Sequence, residues 1–270
     1  MISGRTRIFG LVGHPVRHSL SPEMHTTLFR RLGLDAVYVA FDVDPRRADR
    51  VASAIVTLDI VGVNLTVPFK ERLLPDLDHL TIAAREAGAV NVVINVDGHL
   101  TGYNTDGAGL VASLAEEHDF DPTGAVCAVL GAGGAGRAVA ASLAQRAEVH
   151  LFNRTLSRAE KAADQLRVVA SPLTPEAFAG TPFDLVVNCL GGGAEALVEA
   201  LPIEQLPETA IWVDANYWNP RPPRLAACGA RGLRKSTGLG MLIHQGAMSF
   251  ELFTGHPVEA SELREILTSR

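Results

Sequence analysis

The chain is 270 residues long and 47% hydrophobic, with 24 Lys+Arg against 30 Asp+Glu and a formal net charge of −6. That size allows two domains with buried cores, and the acidic balance, without any Lys/Arg block, argues against a nucleic-acid surface. No apolar run nears the roughly 18–20 residues of a membrane span, no export signal opens the chain, and Cys127, Cys189 and Cys228 are too scattered for a disulfide frame; a cytoplasmic protein is expected.

The first element is a strand over 7–12, broken at Gly13-His14-Pro15. Ser21 before Pro22 has the form of a helix N-cap followed by proline, and Met24, Leu28 and Leu32 continue one helix face. Ser19 has less of a structural role; a hydroxyl at a strand-to-helix mouth is placed to meet a polar ligand. His14 and His18 have the spacing of metal ligands on a helix. Pro15 breaks a helix there, no carboxylate or thiol cluster accompanies them, and no metal is expected.

A strand over 37–43, a helix over 46–58 and a strand over 60–65 make a βαβ rhythm. The last strand runs into Asn64-Leu65-Thr66-Val67-Pro68-Phe69-Lys70, at the carboxyl edge where open α/β sheets bind ligands. Asn64, Thr66 and Lys70 offer an amide, a hydroxyl and an ammonium there, although Lys70 taken alone reads rather as an ordinary exposed lysine opening the next helix. After a helix over 81–87, Asn91 leads into strands over 92–96 and 100–103, joined by the hairpin signal Asp97-Gly98. Asn104-Thr105-Asp106-Gly107 then begins a helix over 108–117, which Asp106 could simply cap.

A buried-type strand over 125–130 is followed directly by Gly131-Ala132-Gly133-Gly134-Ala135-Gly136, a G-x-G-x-x-G, then by Val139 and Leu143 at helical spacing and a second strand through Phe152. In a strand, turn, helix, strand unit, Gly131 allows the tight turn, Gly133 lets the main chain approach a pyrophosphate, and Gly136 lets helix pack on strand. The helix start offers unpaired N–H groups to the anion. An NAD site usually carries Asp or Glu after the second strand; this chain has Asn153-Arg154-Thr155, with Arg158 one turn on. Guanidinium groups suit a 2′-phosphate, so the cofactor expected is NADP.

The βα rhythm continues with a helix to 166, a strand over 168–170, a helix over 175–178 and a strand over 184–189. Leu190-Gly191-Gly192-Gly193 follows at another carboxyl edge. Next come a strand over 210–214, the turn Asn216-Tyr217-Trp218-Asn219-Pro220, a helix over 223–228 and a short strand near Leu233. Thr237-Gly238-Leu239-Gly240 starts a long helix, on whose apolar face Gln245 is either a satisfied core amide or a ligand donor. A final helix over 261–267 has Ser261-x-x-Arg264 and so lacks a full capping box.

Ser19-Leu20-Ser21-Pro22, the 64–70 stretch, Asn104-Thr105-Asp106-Gly107 and Gly238-Leu239-Gly240-Met241-Leu242-x-x-Gln245 together resemble the shikimate dehydrogenase family, over about residues 7–256 and in the family's order. The resemblance implies an α/β fold: an N-terminal α/β substrate domain, 1–105 completed by 237–270, plus a Rossmann-type NADP-binding domain, 106–236, with the active site in the cleft between them. It implies reversible NADPH-dependent reduction of 3-dehydroshikimate to shikimate, a step toward chorismate and the aromatic amino acids, by a monomer or homodimer. It assigns catalysis to Lys70 and Asp106, and substrate contacts to Ser19, Ser21, Thr66, Asn91, Asp106, Tyr217 and Gln245. Cofactor contacts fall on Gly131 to Ala135, Asn153, Arg154, Thr155, Arg158 and Gly238. Cys189-Leu190 stands where the family usually has Ala-Thr, and the bulky residue before Tyr217 is altered. A paralogous quinate/shikimate or aminoshikimate dehydrogenase is the alternative.

Overall fold

The computed structural model describes residues 2–218 and 222–269; Asn219 and Pro220 of the expected turn lie outside them. The chain divides into two compact units, Met1–Thr105 with Ile243–Arg270, and Asp106–Leu242.

The first unit opens with β1 (Arg7–Gly13), α1 (Ser21–Arg31), β2 (Ala36–Asp42), α2 (Val51–Thr57) and β3 (Gly62–Leu65). It continues through the single-turn α3 (Phe69–Arg72), β4 (His79–Leu80), α4 (Ile82–Ala87), β5 (Val92–Val96) and β6 (His99–Tyr103). The sheet order is β2-β1-β3-β5-β6-β4. β1 pairs parallel with β2 and β3, because helical crossovers return the chain to the same edge, while β5 runs antiparallel to β3 and β6. Asp97 (φ 52°) and Gly98 (φ 84°) both take positive φ, the geometry of a tight two-residue hairpin. Val63, Phe69, Leu73, Val90 and Val93 are fully buried in this unit's core.

Two local expectations are corrected, and one strand is added. The helix expected over 46–58 is a 3₁₀ segment, Pro45–Arg50, followed by α2, because Arg47 sits at φ −109°, ψ 20°, outside helical space. Ser21 is not the N-cap of α1: Leu20 holds that position without a side-chain bond, and the Ser19 hydroxyl accepts the Ser21 N–H at 3.2 Å. The serine hydroxyl two residues upstream thus takes over the turn, which leaves Ser21 inside the helix and buried. β4, too short to show a period, pairs parallel with β6.

The second unit comprises α5 (Asp106–His118), β7 (Val126–Leu130), α6 (Gly134–Leu143), β8 (Glu148–Asn153), α7 (Leu156–Leu166), β9 (Val169–Pro172), α8 (Pro175–Phe178), β10 (Leu185–Asn188), α9 (Glu195–Glu199), β11 (Ile211–Asp214), α10 (Pro223–Ala230) and β12 (Arg234–Thr237). Its strands are all parallel, in the order β12-β11-β10-β7-β8-β9, so the winding reverses between β7 and β10. Val129, Leu151, Val187 and Val213 bury one face with α5, α6 and α7; Ala128, Phe152, Val186 and Trp212 bury the other with α8, α9 and α10. Burial on both faces is why these strands read as unbroken apolar runs. Trp212 is fully buried, and an aromatic of roughly 200 Å² at about 25 cal/mol/Å² contributes about 5 kcal/mol.

α11 (Leu239–Thr254) and α12 (Ala260–Thr268) end the chain. α12 does carry a capping box: Glu259 at the N-cap accepts an N3 backbone N–H, and Glu262 accepts the Glu259 N–H at 3.1 Å. Reading the motif from Ser261 placed it too late. Among the described residues no helix is long and apolar enough to cross a membrane.

Candidate active site

In the first unit the polar residues singled out from the sequence converge on the loops after β1, β3 and β6 and on α11. The loop after β1 lies against the loop after β3: His14 N donates to Val67 O at 2.9 Å, Thr66 N donates to Val12 O at 2.9 Å, and a Cβ on Gly13 would strike Thr66 Cγ2 and Val16. Ser19 is held on the same loop by Ser19 N donating to Val16 O at 3.0 Å. His14 shares Nδ1 with Asp42 at 2.6 Å.

Lys70, half-buried on α3, is tied by its main chain, since Val90 N donates to Lys70 O at 2.8 Å. The next residue, Asn91, is 2% exposed, and its Oδ1 accepts Thr105 N at 2.9 Å while its Nδ2 donates to Thr105 Oγ1 at 2.8 Å. Asp106, 3% exposed, follows Thr105 directly and opens α5. Lys70 is therefore linked to Asn91 through one main-chain hydrogen bond and one peptide bond, by way of Val90, and Asp106 through one peptide bond and one hydrogen bond, by way of Thr105. Asn91 Nδ2 also donates to Gln245 Oε1 at 3.3 Å, bringing α11 into the cluster.

A second layer stands behind them, and of its members only Asn64 stood out in the sequence. Asn64 accepts from the Tyr38 hydroxyl at 2.7 Å and donates to Asn91 O at 3.2 Å and Ser249 Oγ at 3.0 Å. Ser249 donates to Gln245 O at 2.7 Å. Its position one turn after Gln245 is a signal the sequence carries, since residues four apart share a helix face; Tyr38 left no such trace. His25 stacks on Tyr38 at 4.5 Å and 11°, and its buried Nδ1 has no hydrogen-bond partner among the described residues. Burial pushes its pKa down to about 3, so it stays neutral.

In the second unit, Gly131 takes φ +110°, which favours glycine, and a Cβ on Gly136 would strike the Gly131 carbonyl oxygen. Gly133 is extended at the N-cap of α6 and makes no side-chain cap, so the N-cap residue satisfies none of the first-turn N–H groups. Ala132 N donates to Asn153 Oδ1 at 3.2 Å, and Asn153 Nδ2 donates to Thr155 O at 2.9 Å, locking the turn to the end of β8. Arg154, Thr155 and Arg158 are exposed where α7 starts, and that first turn holds no acid. Cations at the positive end of a helix without a carboxylate are arranged for an incoming anion. These features fit a phosphorylated dinucleotide.

After β10 and β11 a further network stands. Asn188 Nδ2 donates to Asp214 Oδ2 at 3.1 Å, and Asn216 Nδ2 reaches Asp214 Oδ1 at 2.7 Å and Leu190 O at 3.1 Å. Asn216 thus clamps the loop that carries Leu190. Tyr217 is half-buried and packs edge-on against Trp218 at 5.6 Å. A Cβ on Gly238 would strike the Ala215 main chain. Cys127 and Cys228 are held protonated by burial, at about 12 and about 11, and so are poor nucleophiles.

A doubly wound parallel sheet with a Gly-rich first turn, joined in one chain to a mixed-sheet unit whose loops gather lysine, hydroxyls and amides, defines the class of two-unit nucleotide-dependent oxidoreductases. Residues 11–93 match the family model described as the shikimate dehydrogenase substrate binding domain, and residues 238–268 match the shikimate 5′-dehydrogenase C-terminal domain. A Methanopyrus kandleri protein named shikimate dehydrogenase (NADP(+)) is 39% identical over 98% of this chain and 96% of its own. Among solved structures, shikimate dehydrogenase from Aquifex aeolicus is 33% identical, covers 99% of this chain and 100% of its own, and has a TM-score of 0.90. Shikimate 5-dehydrogenase from Thermus thermophilus, in complex with NADP(H) and shikimate, is 38% identical, covers 96% of this chain and 98% of its own, and has a TM-score of 0.81. The chain belongs to the shikimate dehydrogenase family.

Proposed function

We propose that this chain is an NADP-dependent shikimate dehydrogenase, reversibly reducing 3-dehydroshikimate to shikimate in aromatic amino acid biosynthesis. The observation that supports the reading is the pair of bonds from Val90 N to Lys70 O and from Thr105 N to Asn91 Oδ1, because they draw the main chain at Lys70 and at Thr105, distant in sequence, to the same Val90-Asn91 segment. In this proposal residues 1–105 with the C-terminal helices form the substrate domain, and 106–236 the cofactor domain.

As the ketone carbon is reduced, its oxygen gains charge and takes a proton from Lys70 Nζ; in the reverse direction neutral Lys70 accepts the hydroxyl proton. Asp106 orients the ammonium and the neighbouring hydroxyl. Ser19, Ser21, Thr66, Asn91, Tyr217 and Gln245 hold the carboxylate and hydroxyls of the substrate, which fixes the carbonyl for attack. Bound NADPH supplies the hydride. Gly131, Ala132, Gly133, Gly134 and Ala135 would cradle the pyrophosphate, Asn153, Arg154, Thr155 and Arg158 would hold the 2′-phosphate, and Gly238 would contact the rest of the cofactor.

Leu190, where a hydroxyl is usual, favours keeping a second reading: a paralogous enzyme for quinate or an amino analogue. A panel of these polyols with NADP and NAD separates the two by kcat/KM. Lys70→Ala should lower kcat by at least about 100-fold, the scale of general acid catalysis, with NADP affinity unchanged. Equal loss of both would overturn the assignment. A cytoplasmic setting, a small-molecule substrate without nucleic acid, and a monomer or homodimer belong to the same proposal; sedimentation measures the last.

A further inference from the structure

The amide pair Asn91 and Gln245 has a polarity set by one backbone group. Thr105 N–H can only donate, so the Asn91 branch it meets at 2.9 Å is Oδ1. The other Asn91 branch is then Nδ2, which can only donate, and it meets Thr105 Oγ1 at 2.8 Å and the Gln245 amide at 3.3 Å. The Gln245 atom on that side must be Oε1, which turns Nε2 the other way. Thr105 Oγ1, having accepted one hydrogen, directs its own to Gln245 O at 3.3 Å. Thr105 is 6% exposed and Asn91 2%, so little water competes for these bonds. Asn64 repeats the logic behind them: Asn91 O can only accept, so Asn64 faces it with Nδ2 and accepts from Tyr38.

From this chain of forced choices we infer that Thr105 is a positioning residue which sets Gln245 as a hydrogen-bond donor, making the pocket selective for a substrate oxygen at the place Gln245 reaches. The inference deepens the proposed function and rests on it for the identity of the substrate. A ketone or hydroxyl oxygen there meets N–H, whereas an ammonium there would set donor against donor, so an amino-substituted analogue is disfavoured at that position. Thr105 itself acts through Asn91 and Gln245. Its hydroxyl is needed in both roles, as acceptor from Asn91 and donor to the Gln245 carbonyl, and valine, equal in shape, can do neither.

The test is a double-mutant cycle on the full chain, with Thr105→Val and Thr105→Ser made in wild-type and Gln245→Ala backgrounds. Steady-state KM and kcat for 3-dehydroshikimate are read at saturating NADPH, together with shikimate binding by calorimetry. Thr105→Val should raise KM and the shikimate dissociation constant about tenfold or more, the scale of one lost buried hydrogen bond, while Thr105→Ser stays within about threefold of wild type. In the Gln245→Ala background Thr105→Val should add under about twofold, because the side chain that the Thr105 hydroxyl helps to hold in place is then gone. Fully additive losses, or a Ser variant as damaged as Val, would overturn the proposal. The same cycle read by urea midpoints tests the Thr105 to Gln245 coupling without any substrate: non-additive midpoints support it and additive ones refute it. A wild-type enzyme that fails to turn over 3-dehydroshikimate would instead remove the assigned reaction, and the urea cycle would still decide the coupling.

Discussion

Replacing Arg154 with alanine should weaken NADP binding and leave NAD nearly untouched. The size of the effect follows from where the residue stands. α7 begins at Leu156 behind a Thr155 N-cap that makes no side-chain bond, its first turn has no acid, and Arg154 and Arg158 are both exposed. A guanidinium at that end opposes the helix dipole by about 0.3–1 kcal/mol, a penalty that a phosphate between them reverses. A hydrogen bond to a charged group contributes about 1.5–3 kcal/mol, and solvent exposure puts Arg154 near the lower end. Its loss should therefore raise the NADP dissociation constant about 10–30-fold. The assay is a calorimetric titration of the free enzyme with NADP and with NAD at low and high salt. Discrimination should narrow as salt rises, since exposed charges are screened over roughly 10 Å at about 0.1 M. Parallel weakening of both nucleotides, or a salt-independent difference, would refute the 2′-phosphate argument.

Two other substitutions probe the frame. Gly136→Ala sets a methyl against the Gly131 carbonyl oxygen, so α6 must move off the end of β7. Overpacking of this kind costs about 1–3 kcal/mol, and the melting temperature should drop by about 2–12 °C; an unchanged melting curve would remove the close-approach argument. His25, kept neutral in the fold at a pKa near 3, takes its proton near 6.5 once unfolded. Its contribution to stability is thus intact above that value and falls as pH drops toward about 3, by about 2 kcal/mol between pH 6.5 and about 5. His25→Phe, which keeps a ring against Tyr38, should flatten the pH dependence of the urea midpoint through this window, and identical slopes for the two proteins would contradict it.

The residues legible in advance were those whose role is local. Gly131 needs positive φ whatever surrounds it, and Asp97-Gly98 turns the hairpin by backbone preference alone. The unbroken runs of β7, β10 and β11 announced a sheet covered on both faces, because a strand with no solvated side needs no alternation. Short-range capping was less secure. Ser19 and Glu259 took the turns that Ser21 and Ser261 could equally have taken, and the competition was decided within two residues by which hydroxyl or carboxylate reached an N–H first.

Amino-acid order alone determined the dinucleotide turn, the alternation of strand and helix, and the residue types at the carboxyl edges, since each depends on backbone preference or on burial repeated along a few residues. Tertiary structure decided which amides face which. Tyr38, Asn64, Thr105 and Ser249 meet around Asn91 and Gln245 from separate elements, and the direction of every hydrogen bond there follows from one N–H and one carbonyl brought close only by folding. A hydrogen bond acts over about 3 Å and has no memory of sequence distance, so its polarity is written where the chain returns to itself.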